Sequence, residues 1–89
     1  MLQKNIDYKV KGYTNQWSII DTHEGYGLLE NNTYGDETCY LVVKLDQDAP
    51  MKRYRNRNND TIVSLPTIQD VVCETYDGIE TALEDEGLI

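Results

Sequence analysis

The sequence is poor in histidine and cysteine, two residue types on which many catalytic and metal sites depend. Its 89 residues include one histidine and two cysteines, and their spacing does not match a zinc site. There is no glycine-rich phosphate loop. Cys39 and Cys73 fall among apolar neighbours and are interpreted as small buried hydrophobes rather than as nucleophiles. We therefore expect no enzymatic activity, no cofactor and no metal. Asp21 and His23 could share a strand face and meet a metal ion, but His23 is interpreted as a solvated turn residue.

Long apolar runs are also missing. No segment approaches the roughly 20 apolar residues of a membrane-spanning helix, and residues 1–5 lack the basic-then-apolar layout of a secretory signal. These absences predict a cytoplasmic protein with no membrane contact. In that reducing compartment, a disulfide between the two cysteines is not expected.

Basic residues are absent from the last twenty positions. The chain carries 16 Asp and Glu against 8 Lys and Arg, a net charge of −8, which argues against general attachment to nucleic acid or to anionic membranes. Residues 70–89 contain seven acidic residues and no basic one, whereas residues 52–57 hold half of all the basic residues. The sequence therefore predicts a strongly polarised molecule.

The aromatic content consists of seven tyrosines and one tryptophan, without phenylalanine. Tyrosine suits half-buried sheet positions and contact surfaces, because its ring is apolar and its hydroxyl is polar. With 39% hydrophobic and 27% charged residues, the composition is that of a globular protein. The length predicts one domain over residues 1–89.

Alternating apolar and polar residues predict an antiparallel β-meander of four to five strands with one buried face. Trp17 and Ile19 share a face and are the expected anchor of the core, joined by Leu41 and Val43. The polar stretch 46–60, the basic loop, is interpreted as a long exposed loop or an irregular hairpin. The candidate strands are residues 8–13, 17–22, 26–30, 38–45 and 61–65.

The C-terminal segment predicts one helix over residues 67–84. Thr67 is the candidate N-cap, and Asp70 completes an approximate capping box. Gly78 marks a possible kink or restart, and Gly87 a stop. Together these features predict an α+β domain whose single C-terminal helix packs on one face of the meander. The apolar stripe consists of Ile68, Val71, Val72, Tyr76, Ile79 and Leu83.

Two charged segments are candidate binding sites. In the basic loop, Tyr54 lies among four cations, a mixture suited to single-stranded nucleic acid; the alternative is a solvated loop that lies against the acidic helix. The polar side of that helix would place carboxylates about 5–6 Å apart, close to the spacing of phosphates; the alternative is an ordinary solvent face. The cations are Lys52, Arg53, Arg55 and Arg57, and the carboxylates are Asp70, Glu74, Asp77 and Glu84.

One layout of residues resembles a known group of proteins. It comprises the stretches 17–21, 27–30, 33–38 and 76–79, which read WSIID, GLLE, TYGDET and YDGI. This layout is similar to that of small uncharacterised proteins carried by conjugative and other mobile elements of gut Firmicutes. The resemblance implies a genomic neighbourhood and no particular activity.

Three functions are consistent with these features. The first is a non-enzymatic protein-interaction module, an accessory protein of a mobile element that acts as a monomer or weak homodimer on an unknown protein partner. The second is an acidic inhibitor that imitates nucleic acid. The third, less favoured by the net charge, is a nucleic-acid binder that uses Lys52, Arg53, Tyr54, Arg55 and Arg57.

Overall fold

The computed structural model of this protein describes residues 1–31, 40–51 and 53–89. In that part of the chain, eight strands form two sheets and one short helix follows them, so the predicted α+β class is confirmed. The elements are β1 (Asp7–Val10), β2 (Gln16–His23), β3 (Tyr26–Asn31), β4 (Tyr40–Lys44), β5 (Arg53–Arg55), β6 (Thr61–Val63), β7 (Thr67–Ile68), β8 (Val71–Thr75) and α1 (Ile79–Asp85).

The larger sheet has six strands in the order β7-β1-β2-β3-β4-β8. Strands β1 to β4 form the predicted antiparallel meander, but the expectation of an entirely antiparallel sheet of four to five strands is wrong. Strand β8 adds to β4 antiparallel, whereas β7 adds to β1 parallel. After four alternating strands the chain again runs in the direction of β1, so the returning segment is parallel to β1 and antiparallel to β4.

The sheet is curled. Strands β7 and β8 lie at opposite edges of the sheet although only Gln69 and Asp70 separate them in sequence. Two residues cannot cross an open six-stranded sheet, so the two edges must come close together. A β-bulge between Ile19 and Asp21 in β2 adds local twist that favours this curvature.

The concave side of the sheet encloses the main core. Trp17, the predicted anchor, is 1% exposed and packs with Ile19, Leu41 and Val43, which confirms the predicted inner face. Leu2 covers one side of this core, and its N–H donates to the carbonyl of Leu45. The buried members of this inner cluster are Leu2, Tyr8, Val10, Trp17, Ile19, Leu29, Leu41, Val43 and Ile68.

The sequence predicted that the C-terminal helix covers the Trp17 face of the sheet. Helix α1 instead packs on the convex side. Leu28 and Val42 point outward there and contact Ile79, Ala82 and Leu83 of the helix. The curl of the sheet closes the Trp17 face without help from a helix. Strand β4 is therefore buried on both faces, because its even-numbered Val42 is as inaccessible as its odd-numbered neighbours.

The predicted helix over residues 67–84 is wrong for most of its length. Residues 67–68 and 71–75 are strands, and the Asp70 N–H donates to the side chain of Gln47 rather than to a capping Thr67. β-Branched residues crowd the second strand, where extended backbone suits them better than a helix. Over so few positions, two short strands separated by a bend can place apolar residues three and four positions apart, as an amphipathic helix does.

The helix starts after Gly78, where a restart was predicted, and ends at the predicted stop. Gly87 has a φ of 73°, and its N–H donates to the Glu84 carbonyl. The Leu88 N–H donates to the Leu83 carbonyl, which completes a Schellman motif. The helix therefore spans only seven residues.

Strands β5 and β6 form a separate two-stranded sheet. We call residues 53–63 the arm. Its first part lies in the stretch 46–60, for which the sequence predicts a loop or an irregular hairpin. Strand β6 lies within the predicted strand 61–65 but pairs with β5 and not with the meander. All residues of the arm are exposed except Ile62, which is half-buried. The arm accordingly contributes mainly exposed surface and adds little to the core of the molecule.

Candidate nucleic-acid interface

The arm displays two arginines on strand β5 and a third in the turn that follows it. Arg53, Arg55 and Arg57 are all exposed, and so is Tyr54 between the first two. In the register of the hairpin, Arg53 is opposite Val63. Because side chains alternate along a strand, the two strand arginines share one face and Tyr54 lies on the other. Lys52, the remaining predicted cation, lies outside the described residues.

A tight turn holds the tip of the arm. The Asn56 side-chain oxygen accepts hydrogen bonds from the N–H groups of Asn58 and Asp60, each at 3.0 Å. Asn59 has a φ of 65°, and its side-chain oxygen accepts a 2.9 Å bond from Nη1 of Arg55. Asparagine tolerates this left-handed conformation and bonds to nearby backbone, which explains why Asn and Asp dominate the turn. The turn thus fixes both the hairpin and one of its arginines.

A groove of about 420 Å³ lies at the foot of the arm. Lys9 and Lys11 point into it because Tyr8 and Val10, the alternate residues, point into the core. Parallel pairing of β1 with β7 places Thr67 beside Lys9. The remaining lining residues are Pro50, Ser64 and Gln69. The volume of this groove lies within the range of about 300–1,000 Å³ that is typical of ligand pockets.

The cations of the arm and the groove do not pair with carboxylates of the described residues. Within that part of the chain, the one ion pair joins His23 Nδ1 to Glu80 Oε1 at 3.6 Å, and it requires a protonated histidine. The alternative of a solvated loop agrees with the exposure of the arm, whose cations form no ion pair with the described acidic residues. Five positive charges remain available to an external anion: Lys9, Lys11, Arg53, Arg55 and Arg57.

The four predicted acidic residues do not form one helical stripe. Asp70 lies in the bend between β7 and β8, and Glu74 lies on β8, where its Oε1 accepts a 2.6 Å hydrogen bond from the Tyr13 hydroxyl. Asp77 precedes the helix, and Glu84 alone of the four lies on α1. The regular spacing of carboxylates on which phosphate mimicry depended is consequently absent.

Most of the described tyrosines have structural roles. Tyr8 is buried, and its hydroxyl accepts a 2.9 Å hydrogen bond from the N–H of Gln3. Tyr13 packs edge-on against Trp17, with ring centroids 5.4 Å apart. Only Tyr54 and Tyr76 are exposed in the described part of the chain. A broad contact surface made of tyrosines, which the sequence suggested, is not formed by these residues.

The candidate catalytic and metal-binding groups do not converge. Burial raises the pKa of the Cys73 thiol above its ordinary value of 9.0, and the carboxylates of Glu86 and Asp85 raise it further. A raised pKa keeps the thiol neutral and weakly nucleophilic near neutral pH. No group of three or more His, Cys, Asp or Glu side chains in the described ranges could hold a metal ion, and Cys39 falls outside those ranges.

The sequence predicted the arginines of the arm as candidate binding residues, but it did not point to Lys9 and Lys11. Their alternation with the buried Tyr8 and Val10 accounts for their outward orientation. It gave no sign that they lie beside the foot of the arm, because that proximity depends on the pairing of β1 with β7. This long-range parallel pairing places Lys9 beside Thr67, which follows the arm closely in sequence.

No family model, curated protein or solved structure matches this chain. The resemblance to proteins of mobile elements therefore stays a prediction. No helix in the described part of the chain is long and apolar enough to cross a membrane.

Proposed function

We propose that this protein is a non-enzymatic nucleic-acid-binding module. Its contact surface is the basic face, which we define as Lys9, Lys11, Arg53, Arg55 and Arg57. The observation that carries the proposal is that Arg53 and Arg55 share one face of an exposed hairpin and, like the other described cations, have no carboxylate partner among the described residues.

Phosphate is the anion that best suits this arrangement. Arginine offers a planar set of donors that matches phosphate oxygens, and lysine offers a compact charge. Binding would release counterions condensed on the nucleic acid, which favours association at low salt. The acidic residues elsewhere would oppose general adsorption, so that only the basic face would approach a polyanion closely.

The test is fluorescence anisotropy with short labelled nucleic acids at several salt concentrations. Three to five phosphate contacts predict a slope of log K against log salt of about −3 to −4, and a Kd of about 1–100 µM near physiological salt. Arg53→Gln/Arg55→Gln should lower the affinity about tenfold. The matched control, Lys4→Gln/Lys44→Gln, removes two exposed cations that are not part of the basic face as defined above.

Equal losses in the two double variants would contradict the proposal, because the effect would then reflect net charge alone. Absence of binding to every nucleic acid at low salt would contradict it as well. Circular dichroism should show that both variants retain the strand signal, since all four side chains are exposed.

A protein-interaction module, such as an accessory protein of a mobile element, is the second candidate. The observation that favours it is the exposure of Met51, Tyr54 and Val63, which are 61%, 54% and 49% accessible on or beside the arm. Exposed apolar and aromatic side chains of this kind are typical of protein contacts. Binding to a protein through them would survive moderate salt, whereas binding to phosphates would weaken steeply.

A further inference from the structure

We infer that the nucleic acid is double-stranded DNA in the B form, and that the arm enters its major groove. This inference rests on the proposed function and specifies the ligand of the same surface. It follows from which side chains share a face of the arm, how open each face is, and how large the hairpin is.

The faces of the arm separate the arginines from the aromatic ring. A site for single-stranded nucleic acid needs stacking rings and cations along the same path, so that bases stack while phosphates are neutralised. Here Arg53 and Arg55 share a face with Thr61 and Val63, and Tyr54 lies opposite Ile62 on the other face. One extended strand therefore cannot engage the ring and both arginines from the same side.

The arginine face is the more open of the two. Val63 is 49% exposed and Thr61 is exposed, whereas Ile62 on the Tyr54 face is half-buried. A large partner can consequently approach the arginines without steric hindrance from the rest of the protein.

The dimensions of the arm fit a major groove. The groove of B-form DNA is about 12 Å wide and admits a two-stranded β-ribbon, whereas that of an RNA duplex is too narrow for side-chain access. Arg53 and Arg55, two residues apart, are separated by about 7 Å, close to two base-pair steps.

The chemistry of these side chains supplies the contacts. Arginine donates two hydrogen bonds to O6 and N7 of guanine, a pattern that only the major groove presents. With the arm in the groove, its foot comes to the rim, where the phosphates lie. Lys9 and Lys11 line the cavity at that foot, so they would bind the DNA backbone while the arm contacts base edges.

The test compares four probes of one mixed sequence of about 20 base pairs, the length of two turns of duplex: duplex DNA, each single DNA strand, duplex RNA, and duplex DNA in which 7-deazaguanine replaces guanine. Duplex DNA should bind at least about tenfold more tightly than single strands or duplex RNA. The 7-deazaguanine duplex, which lacks the N7 acceptor, should bind about three- to tenfold more weakly than ordinary duplex.

Two variants complete the test. Arg53→Gln/Arg55→Gln should abolish the difference between ordinary and 7-deazaguanine duplex, whereas Tyr54→Ala should change duplex affinity less than about twofold. Three results would overturn the placement of the arm in the major groove of DNA while leaving nucleic-acid binding intact. These are tighter binding to single strands than to duplex DNA, a tenfold loss of duplex affinity in Tyr54→Ala, and equal affinity for ordinary and 7-deazaguanine duplex. Binding to none of the four probes would instead overturn the proposed function itself.

Discussion

The curled sheet and the arm are both made of short, mostly antiparallel strands, yet they bury very different amounts of surface. In β4, Leu41, Val42 and Val43 have no accessible surface at all, because the core covers one face and α1 the other. In the arm, Ile62 alone is even half-buried. The same backbone geometry therefore builds the buried core in one region and an exposed hairpin in the other.

This difference follows from what each hairpin packs against. An isolated two-stranded hairpin is marginally stable in water, and burial against further strands or a helix supplies most of the free energy of a sheet. The arm relies on its turn hydrogen bonds, including those to Asn56. The body of the protein should consequently unfold as one unit, while the arm should be able to open locally.

Leu41→Ala should produce the largest change in stability, because Leu41 is fully buried in the inner cluster. Truncation of such a leucine leaves a cavity and should lower the free energy of unfolding by about 3 kcal/mol or more. Urea denaturation followed by Trp17 fluorescence would measure it. Val63→Ala on the arm is the control and should cost less than about 0.5 kcal/mol; similar losses in the two variants would remove the contrast between the regions.

Leu83→Ala should have the next largest effect, about 2–3 kcal/mol, because Leu83 is fully buried between α1 and the convex face of the sheet. Near-ultraviolet circular dichroism of Trp17 should remain native below the transition, since the ring lies in the other cluster. Loss of that signal in the folded variant would show that the inner core depends on the helix.

Asn59→Ala should have the smallest effect on global stability. The φ of 65° at Asn59 costs alanine about 1 kcal/mol, and this cost should open the arm without unfolding the body. Amide hydrogen exchange at Tyr54 and Ile62 should accelerate about fivefold, with the urea midpoint unchanged. Asn59→Gly is the control: it also removes the bond from Arg55, but it tolerates the backbone conformation and should exchange more slowly than the alanine variant.

If Asn59→Ala instead shifts the urea midpoint as far as Leu83→Ala does, the arm belongs to the cooperative core. The distinction between a stabilising region and a binding region would then no longer hold.

Local pattern was a good guide wherever a segment packs against its neighbours in sequence. Alternation accounts for the meander, for the outward Lys9 and Lys11, and for the inward Trp17. The freedom of glycine to adopt positive φ accounts for the end of the helix at Gly87. The C-terminal segment was mispredicted because its apolar residues fit a helical repeat as well as two short strands separated by a bend. Register partners on β1 and β4, distant in sequence, decided between the two.

By itself, the sequence determined the α+β class, the anchor of the core and the segregation of charge, because alternation, β-branched content and turn residues act over a few positions. Tertiary structure alone decided that residues 67–75 join both edges of one curled sheet, that the helix covers the convex face, and that Lys9 and Lys11 lie at the foot of the arginine arm. These outcomes depend on which distant strands share hydrogen bonds and buried surface, and no local pattern encodes that choice.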